Sequence, residues 1–498
     1  MLSVFTTRFI LQGLGESDFG LYNVIGGSIA MLGFLSASLS ASTQRFINYA
    51  QGKNDGNHIR KIFANSVIIH HILAGASVVL FALGGLILFN GILNIPAHQT
   101  VDALAVYGCM LLSTVFSITI VPYDAEITAH EDLKILSLIG ILDVILKLAI
   151  AICVLFWPGE RLIFYAILMA AESFVIRSLT KFYCIRNYTE CRQISLKRQF
   201  DRNVLKELSS FAGWNMLNTA TSMVALFGMN VVINHYFGTV CNASMGIATQ
   251  LAGVIMGVSM NLNKAITPVI MKSEGQSNRN ATLHYSIIGC KFSYLVFLLI
   301  CAPILLNLPF ILSKWLTEVP AYATTFCFIM VCGNLLDQAT VILYQSIMAQ
   351  GDIKSYSTLR SISNIAPIII TILMFQFGDF PPYWALLNWL IWKAIIGGGI
   401  NIAMSKLKIG LQLRPYFHFL AKMLLVSAIC ITLSYCTTLT TNAADSTFIN
   451  ISAIFISYIL CICSIYIFGL TGNERANLNN MLSTLYHRVV THKNTGVV

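Results

Sequence analysis

Runs of apolar residues long enough to cross a lipid bilayer follow one another along almost the whole of this chain. Hydrophobic residues make up 56% of its 498 residues and charged residues only 10%, whereas a soluble domain carries about 25% charged residues. A transmembrane helix needs about 20 mostly apolar residues. Because the runs are continuous and do not alternate, they predict helices and argue against a β-barrel. The sequence therefore predicts an all-α polytopic membrane protein.

We place about fourteen transmembrane helices, of which the first is short. The predicted spans are Met1–Leu14, Phe19–Ser42, Ile62–Phe89, Val101–Val121, Ile135–Trp157, Leu162–Phe182, Leu208–Tyr236, Asn242–Met271, Thr282–Leu306, Tyr322–Met348, Ile362–Phe377, Tyr383–Met404, Tyr416–Leu439 and Thr447–Leu470. Met1–Leu14 is too short to span, so the first helix either begins upstream of Met1 or is truncated here. We expect no cleavable signal peptide, because this run lacks a small-residue cleavage site.

The basic residues between the spans predict the orientation of the chain. One set of loops, with the C-terminal tail, holds 22 of the 31 Lys and Arg residues, and the opposite set holds only Arg161 and Lys314. Loops rich in Lys and Arg stay in the cytoplasm. The set that includes the basic stretch Lys181–Lys206 is therefore predicted to be cytoplasmic. That stretch is interpreted as an anchor on anionic lipid, not as a nucleic-acid site.

An internal repeat predicts two six-helix lobes. Phe19–Lys53 aligns with Phe237–Lys272 after one inserted residue, and this alignment places Arg45 on Lys264 and Lys53 on Lys272. Both segments run from outside to inside, so the repeat is parallel, about an axis along the membrane normal. The expected organisation is an N-terminal lobe (1–182), a basic cytoplasmic linker (183–207), a C-terminal lobe (208–407), and two further helices with a cytoplasmic tail (408–498).

Charged residues inside predicted helices are the first candidates for function. An intramembrane charge costs about 2.5–3.5 kcal/mol on insertion scales, so such residues usually face a cavity or a partner. Seven are basic and three are acidic. The basic ones are Arg8, Lys147, Arg177, Lys264, Lys291, Lys393 and Lys422, and the acidic ones are Asp143, Glu172 and Asp337.

These charged residues differ in how strongly they indicate a functional site. Asp143 and Lys147 are four residues apart on one helix face and are expected to pair, as a structural contact. Lys291 and Lys393 lie about ten residues inside their helices, roughly 15 Å deep, so cavity lining is favoured over snorkelling. Glu172 is expected to find a partner other than Arg177.

Several segments resemble bacterial polysaccharide-biosynthesis exporters, the O-antigen-type flippases. The matching segments are TTRFILQGLGESDFGLYNVIGG (6–27), ASTQRF (41–46), PYDAEITAHED (122–132), FAGWNMLN (211–218), NKAITPVIMKSEG (263–275), LPFILSKWL (308–316), AQGDIKSY (349–356) and GLTGNER (469–475). That family belongs to the multidrug/oligosaccharidyl-lipid/polysaccharide exporter superfamily, with the lipid II flippases and the multidrug and toxin extrusion proteins. The resemblance implies a bundle of twelve helices plus two, with a central cavity that opens alternately to each side.

The resemblance also implies a substrate and a site. The substrate is a polyprenyl-diphosphate-linked oligosaccharide, moved from the cytoplasmic to the outer leaflet of the bacterial inner membrane for lipopolysaccharide O-antigen or capsule synthesis. Related lipid flippases carry functional cations in the first, second and eighth helices, where this chain has Arg8, Arg45 and Lys264. These three, with Lys291 and Lys393, are the predicted diphosphate and glycan ligands. Ser36, Ser38, Ser40, Ser42, Thr43 and Gln44 either line a wet path for sugar hydroxyls or pack helices closely.

Two other functions stay open. A multidrug antiporter on the same fold would bind proton or sodium through Asp143, Glu172 or Asp337, and these three are the candidates for ion coupling. The excess of intramembrane cations favours an anionic substrate instead. A membrane-embedded polymerase or glycosyltransferase would need a large outer loop, which the predicted spans do not leave.

We expect no enzymatic activity, no cofactor and no metal. No P-loop is present, and His130–Asp132 does not form an H-E-x-x-H motif. The thirteen Cys residues are interpreted as small buried hydrophobes. Expected partners are the lipid-linked anionic glycan and membrane lipids, but not nucleic acid. The default state is a monomer, with the polysaccharide polymerase machinery as a candidate associate.

Overall fold

The computed structural model describes residues 33–87, 100–192, 196–316, 319–441 and 447–480, with isolated residues between 6 and 25 and at 483–484. Every regular element in this described part is helical, as the sequence predicts. The helices are α1 (Gly33–Gly52), α2 (Gly56–Ile87), α3 (Thr100–Ala129), α4 (Leu133–Phe156), α5 (Arg161–Asn187), α6 (Thr189–Arg192), α7 (Leu196–Gln199), α8 (Arg202–Gly275), α9 (Arg279–Leu306), α10 (Leu308–Trp315), α11 (Ala323–Gln338), α12 (Leu343–Gln350), α13 (Lys354–Phe377), α14 (Tyr383–Leu390), α15 (Gly397–Ile409), α16 (Leu413–Thr441) and α17 (Thr447–Ser464).

The described helices match the third to fourteenth predicted spans in order. Ten are long and apolar enough to cross a membrane, or eleven if the bent pair α11–α12 counts as one span. The long α8 covers two predicted spans, because its helix breaks at Gly238, where φ is +77°. Half of the residues in the first two predicted spans lie outside the described residues, and α1 contains the end of the second span.

Two short π-helical segments interrupt the C-terminal helices. One, Ile391–Ile396, joins α14 to α15, and the other, Ile465–Gly469, follows α17. Such segments carry an extra residue per turn and occur often at functional sites. The first of them holds Lys393.

The chain divides into two compact units, each assembled from separate stretches. Unit 1 comprises Met1–Val224, Lys264–Thr282 and Gln345–Ser361, and unit 2 comprises Ala225–Asn263, Leu283–Tyr344 and Ile362–Val498. The predicted organisation into two six-helix lobes stays a prediction.

Each unit has its own apolar core. In unit 1, buried side chains such as Val106, Val154 and Tyr165 join α3, α4 and α5. In unit 2, a larger core gathers α8, α9, α11 and α16 around side chains such as Phe297 and Phe326.

The outer faces of the helices are also apolar. Leu138, Ile141 and Ile145 repeat along α4 with more than half of each side chain exposed. A row of exposed apolar residues on a helix is expected where lipid is the solvent.

Candidate functional site

Arg45 is buried near the C-terminal end of α1, with only 6% of its surface exposed. Its Nη2 donates a hydrogen bond to the Ala349 carbonyl oxygen at 2.9 Å. Gly351, at φ +98°, gives the guanidinium room, because a Cβ at this position would lie 2.5 Å from Nη2. The backbone at the C-terminal end of α12, from Ala349 to Gly351, therefore fixes where this cation sits.

Aromatic rings surround the Arg45 guanidinium. Its central carbon lies 4.5 Å from the ring centroid of Phe46, 4.8 Å from that of Tyr49 and 5.5 Å from that of Phe211. The faces of aromatic rings attract a cation at these distances. The Nε of Arg45 is buried and makes no hydrogen bond to any described residue.

A cavity of about 740 Å³ opens beside this arginine, and we call it the Arg45 pocket. Its lining residues are Arg45, Phe46, Asn203, Lys206, Glu207, Ser210, Phe211, Trp214, Gly351, Asp352, Ile353 and Lys354. Three of them are basic and two are acidic, so the lining has a net excess of one positive charge. Lys354 Nζ lies 5.5 Å from the ring centroid of Trp214, which holds the lysine against the wall of the pocket.

Three of the family-like segments converge on the Arg45 pocket. Residues 41–46 supply Arg45, residues 211–218 supply Trp214, and residues 349–356 supply Gly351 and Lys354. Lys206 belongs to the basic stretch Lys181–Lys206 and Lys354 to the segment 349–356, and neither was predicted as a site residue. The position of Lys354 inside one of these segments was the signal that pointed to it.

A second cavity of unit 1, of about 460 Å³, contains Lys264, and we call it the Lys264 pocket. Its lining residues are Ser40, Gln44, Asp124, Thr128, Leu136, Ile139, Gly140, Asp143, Lys147, Ile176, Arg177, Thr180 and Lys264. Three are basic and two are acidic, so this lining also has a net positive charge. Arg177, one of the seven basic residues predicted inside helices, lines this pocket.

Asp143, which lines the Lys264 pocket, has both a basic and an acidic neighbour. The predicted pairing of Asp143 with Lys147 is confirmed, because Lys147 Nζ lies 2.7 Å from Asp143 Oδ2. Glu172 is 5% exposed and interacts with the carboxyl of Asp143. Two carboxylates in contact repel each other unless a proton or another cation is shared between them. Asp143 and Glu172 therefore form a candidate ion site.

The polar residues at the end of α1 divide into two groups. Ser38, Ser42 and Thr43 are buried, and Ser42 Oγ donates a hydrogen bond to the Leu208 carbonyl oxygen at 3.3 Å. These residues serve helix packing. Ser40 and Gln44 line the Lys264 pocket and are available to a ligand. The side chain of Ser36 lies outside the described residues.

Arg45 and Lys264 line different pockets, although both belong to unit 1. The ends of their helices nevertheless cross, because a Cβ at Gly52 would overlap the Lys272 carbonyl and one at Gly275 would overlap the Tyr49 carbonyl. The ends of the two repeat segments are thus in backbone contact. Arg8 lies outside the described residues, and its assignment stays a prediction.

The two predicted cations of unit 2 both have acidic partners. Lys291, 7% exposed, places Nζ 2.5 Å from Glu474 Oε2. Lys393 donates a hydrogen bond to Asn334 Oδ1 and lies 3.8 Å from Asp337 Oδ2. The structure thus joins Lys393 to Asp337, which the sequence analysis had assigned to separate roles.

The fold is similar to that of solved transporters. A crystal structure of a MATE protein in complex with MaL6 aligns with a TM-score of 0.72 at 14% identity, over 82% of this chain and 91% of that chain. An outward-facing multidrug resistance MATE family transporter of the MOP superfamily aligns at 0.70 and 13% identity, over 82% of this chain and 91% of that one.

A third similar structure is a MOP superfamily transporter from Pyrococcus furiosus, described as having a binding pocket of reverse polarity that suggests a different function. It aligns at 0.70 and 12% identity, over 82% of this chain and 92% of that one. The sequence matches no family model and no curated protein. The predicted fold class is confirmed as a polytopic helical membrane protein with a MATE-like fold.

Proposed function

We propose that this chain is a flippase for a polyprenyl-diphosphate-linked oligosaccharide. It would move this lipid from the cytoplasmic to the outer leaflet of the bacterial inner membrane by alternating access. The product would feed the synthesis of a surface polysaccharide, either lipopolysaccharide O-antigen or capsule. The likeness to transporters of the MOP superfamily supports the transport part of this proposal.

The Arg45 pocket is the observation that carries the proposal. It places a buried guanidinium with an unused Nε beside two lysines. A diphosphate offers many acceptor oxygens, and charge-assisted hydrogen bonds from Arg and Lys offset its desolvation. By the charge of the loops, this pocket belongs to the predicted cytoplasmic side, where the substrate would enter.

A net positive lining also favours an anionic substrate over a cationic drug. The Lys264 pocket repeats this pattern with Lys147, Arg177 and Lys264. We assign the Arg45 pocket to capture of the diphosphate and the Lys264 pocket to a later stage of transport. The reverse polarity described for the pocket of the Pyrococcus furiosus transporter is a precedent for altered pocket charge on this fold.

Membrane potential can drive the proposed step. One elementary charge crossing 100 mV is worth about 2.3 kcal/mol. A diphosphate with about two negative charges leaving a negative-inside cell would gain roughly twice that if it crossed the full field. Transport would then need no ATP hydrolysis by this chain.

One observation favours a second candidate, a multidrug antiporter. The neighbouring carboxyl groups of Asp143 and Glu172 are suited to binding a proton or sodium ion, and one similar structure is described as a multidrug resistance transporter. In an antiporter, Glu172→Gln would abolish drug resistance. In the proposed flippase, the same change would leave drug susceptibility unaltered.

The test of the proposal is flipping by purified protein in proteoliposomes that contain a short-chain polyprenyl-diphosphate glycan. Arg45→Ala and Lys264→Ala should each slow flipping, and the double variant should abolish it. Arg279→Ala is the matched control, because Arg279 is exposed and lies 3.7 Å from Glu274, away from both pocket linings. Normal flipping by a properly folded double variant would refute the site assignment.

A further inference from the structure

A cluster of three ionisable side chains lies outside both pockets, at the C-terminal end of α3. Glu126 and His130 are one helical turn apart, and Glu190 reaches them from α6. His130 Nε2 lies 2.8 Å from Glu190 Oε1 and 3.6 Å from Glu126 Oε2. One ligand atom from each residue therefore falls within 4.8 Å of the others.

Glu126 is the residue of this cluster whose carboxylate lacks a hydrogen-bond partner among the described residues. Its side chain is fully buried, and neither carboxylate oxygen makes a hydrogen bond to any described residue. A buried carboxylate without a partner is costly. The single N–H of His130 Nε2 is already used by Glu190 at hydrogen-bond distance. The protein side chains alone thus leave a buried acceptor facing the cluster.

We propose that Glu126, His130 and Glu190 bind a divalent first-row transition metal, for which zinc is the probe. Zinc takes imidazole nitrogen and carboxylate oxygen at about 2.0–2.2 Å, so tetrahedral ligand atoms lie about 3.3 Å apart. The observed separations of 2.8 Å and 3.6 Å bracket this distance. Metal binding through Nε2 would require the neutral His130 tautomer that carries its proton on Nδ1, and it would give Glu126 its missing partner.

The surroundings of the cluster hold the ligands in place. The His130 ring stacks on Tyr188, with centroids 4.1 Å apart and planes within 4°. Thr189 Oγ1 donates a hydrogen bond to Glu190 Oε2 at 2.9 Å, so Oε1 is directed to the cluster. Supporting contacts of this kind fix the orientation of metal ligands.

A polar cavity supplies a route for the ion. Glu190 and Thr189 line a space of about 480 Å³ together with Asn54, Asp55 and Asn57. Glu190 is thus shared between this cavity and the cluster, and 33% of the His130 side chain is exposed. With three protein ligands, the ion would keep a position for water.

The bound metal would join the end of α3 to the segment that follows α5. These two elements are neighbours within unit 1, although His130 and Glu190 are 60 residues apart in sequence. A ligand that binds only the folded state raises stability by mass action. The site would therefore act as a metal-dependent cross-link, whatever substrate the protein transports.

The experiment measures zinc bound to the purified full-length chain in detergent, with any affinity tag removed and prior metal stripped by a chelator. Elemental analysis after gel filtration should find about one zinc per chain. Glu126→Gln and Glu190→Gln should each weaken binding at least tenfold. Cobalt should replace zinc and give the visible absorption of a four-coordinate site.

Glu131→Gln is the matched control, because it makes the same chemical change beside His130. The Glu131 carboxylate instead pairs with Lys272 Nζ at 2.7 Å, so zinc binding should persist. Glu126→Gln keeps the size of a buried side chain that makes no hydrogen bond to any described residue, so this variant is expected to fold, and its elution volume checks that.

Three results would overturn the proposal. The first is a wild-type chain that binds no zinc. The second is equal zinc binding by wild type and folded Glu126→Gln. The third is release of the ion by millimolar magnesium, which would contradict a transition-metal site.

Discussion

Replacing Gly351 with alanine tests how the Arg45 pocket is built. At φ +98° an alanine is strained, which costs about 1–2 kcal/mol. Its Cβ would also lie 2.5 Å from Arg45 Nη2 and push the guanidinium off the Ala349 carbonyl. Loss of a charge-assisted hydrogen bond adds about 1.5–3 kcal/mol. We expect Gly351→Ala to destabilise the folded protein by roughly 2.5–5 kcal/mol, the sum of these two costs.

The cost of displacing the Arg45 guanidinium can be measured separately with a double-mutant cycle. In an Arg45→Ala background there is no guanidinium to displace, so Gly351→Ala should cost only the backbone strain of about 1–2 kcal/mol. The assay is the thermal midpoint of purified protein in detergent, followed by intrinsic fluorescence. Gly75→Ala is the control, because Gly75 lies in α2 with no atom near its potential Cβ, and it should leave the midpoint unchanged or raise it.

The same variants give a functional result. Flipping by Gly351→Ala should fall about as far as flipping by Arg45→Ala, and the double variant should be no slower than either. An equal stability cost of Gly351→Ala in both backgrounds would refute the idea that Gly351 makes room for Arg45.

Three further predictions concern single contacts. Lys354→Glu should slow flipping at least tenfold by reversing a charge of the Arg45 pocket, whereas the exposed Lys134→Glu should not, as a vesicle assay would measure. Lys291→Ala should cost about 3 kcal/mol, because it leaves Glu474 without its ion-pair partner, and adding Glu474→Ala should recover part of the lost thermal stability. Hydrogen bonds from Lys61 and from the backbone at the start of α8 lower the pKa of Asp201. Its stabilisation should therefore be present above about pH 4 and lost as the pH falls through the lowered pKa, so Asp201→Ala should lower the thermal midpoint at pH 7 but not in strong acid.

The helices of this fold could be predicted from sequence because lipid restricts the choice so severely. Long apolar runs located the third to fourteenth spans, and helical spacing was enough to pair Asp143 with Lys147. These are local properties of the chain. The partners of Lys291 and Lys393 were not predictable in this way, because Glu474 lies 183 residues from Lys291 and Asp337 lies on a different helix from Lys393.

The candidate sites were harder to predict than the helices. Lys206 and Lys354 are basic residues of the kind expected in any cytoplasmic loop. The charge rule that predicts orientation therefore accounts for them without indicating that they line the Arg45 pocket. The expectation that no metal site exists rested on motifs within one helix. Glu190 completes the proposed metal site from a distant segment, which no spacing rule would connect to Glu126 and His130.

The central claim is that this chain flips a lipid-linked glycan. The most direct measurement is the distribution of that glycan between the two faces of the inner membrane after deletion of the gene, with drug susceptibility measured in parallel. Our account predicts accumulation on the cytoplasmic face and unchanged drug susceptibility. An unchanged glycan distribution with greater susceptibility to cationic drugs would contradict it and identify an antiporter.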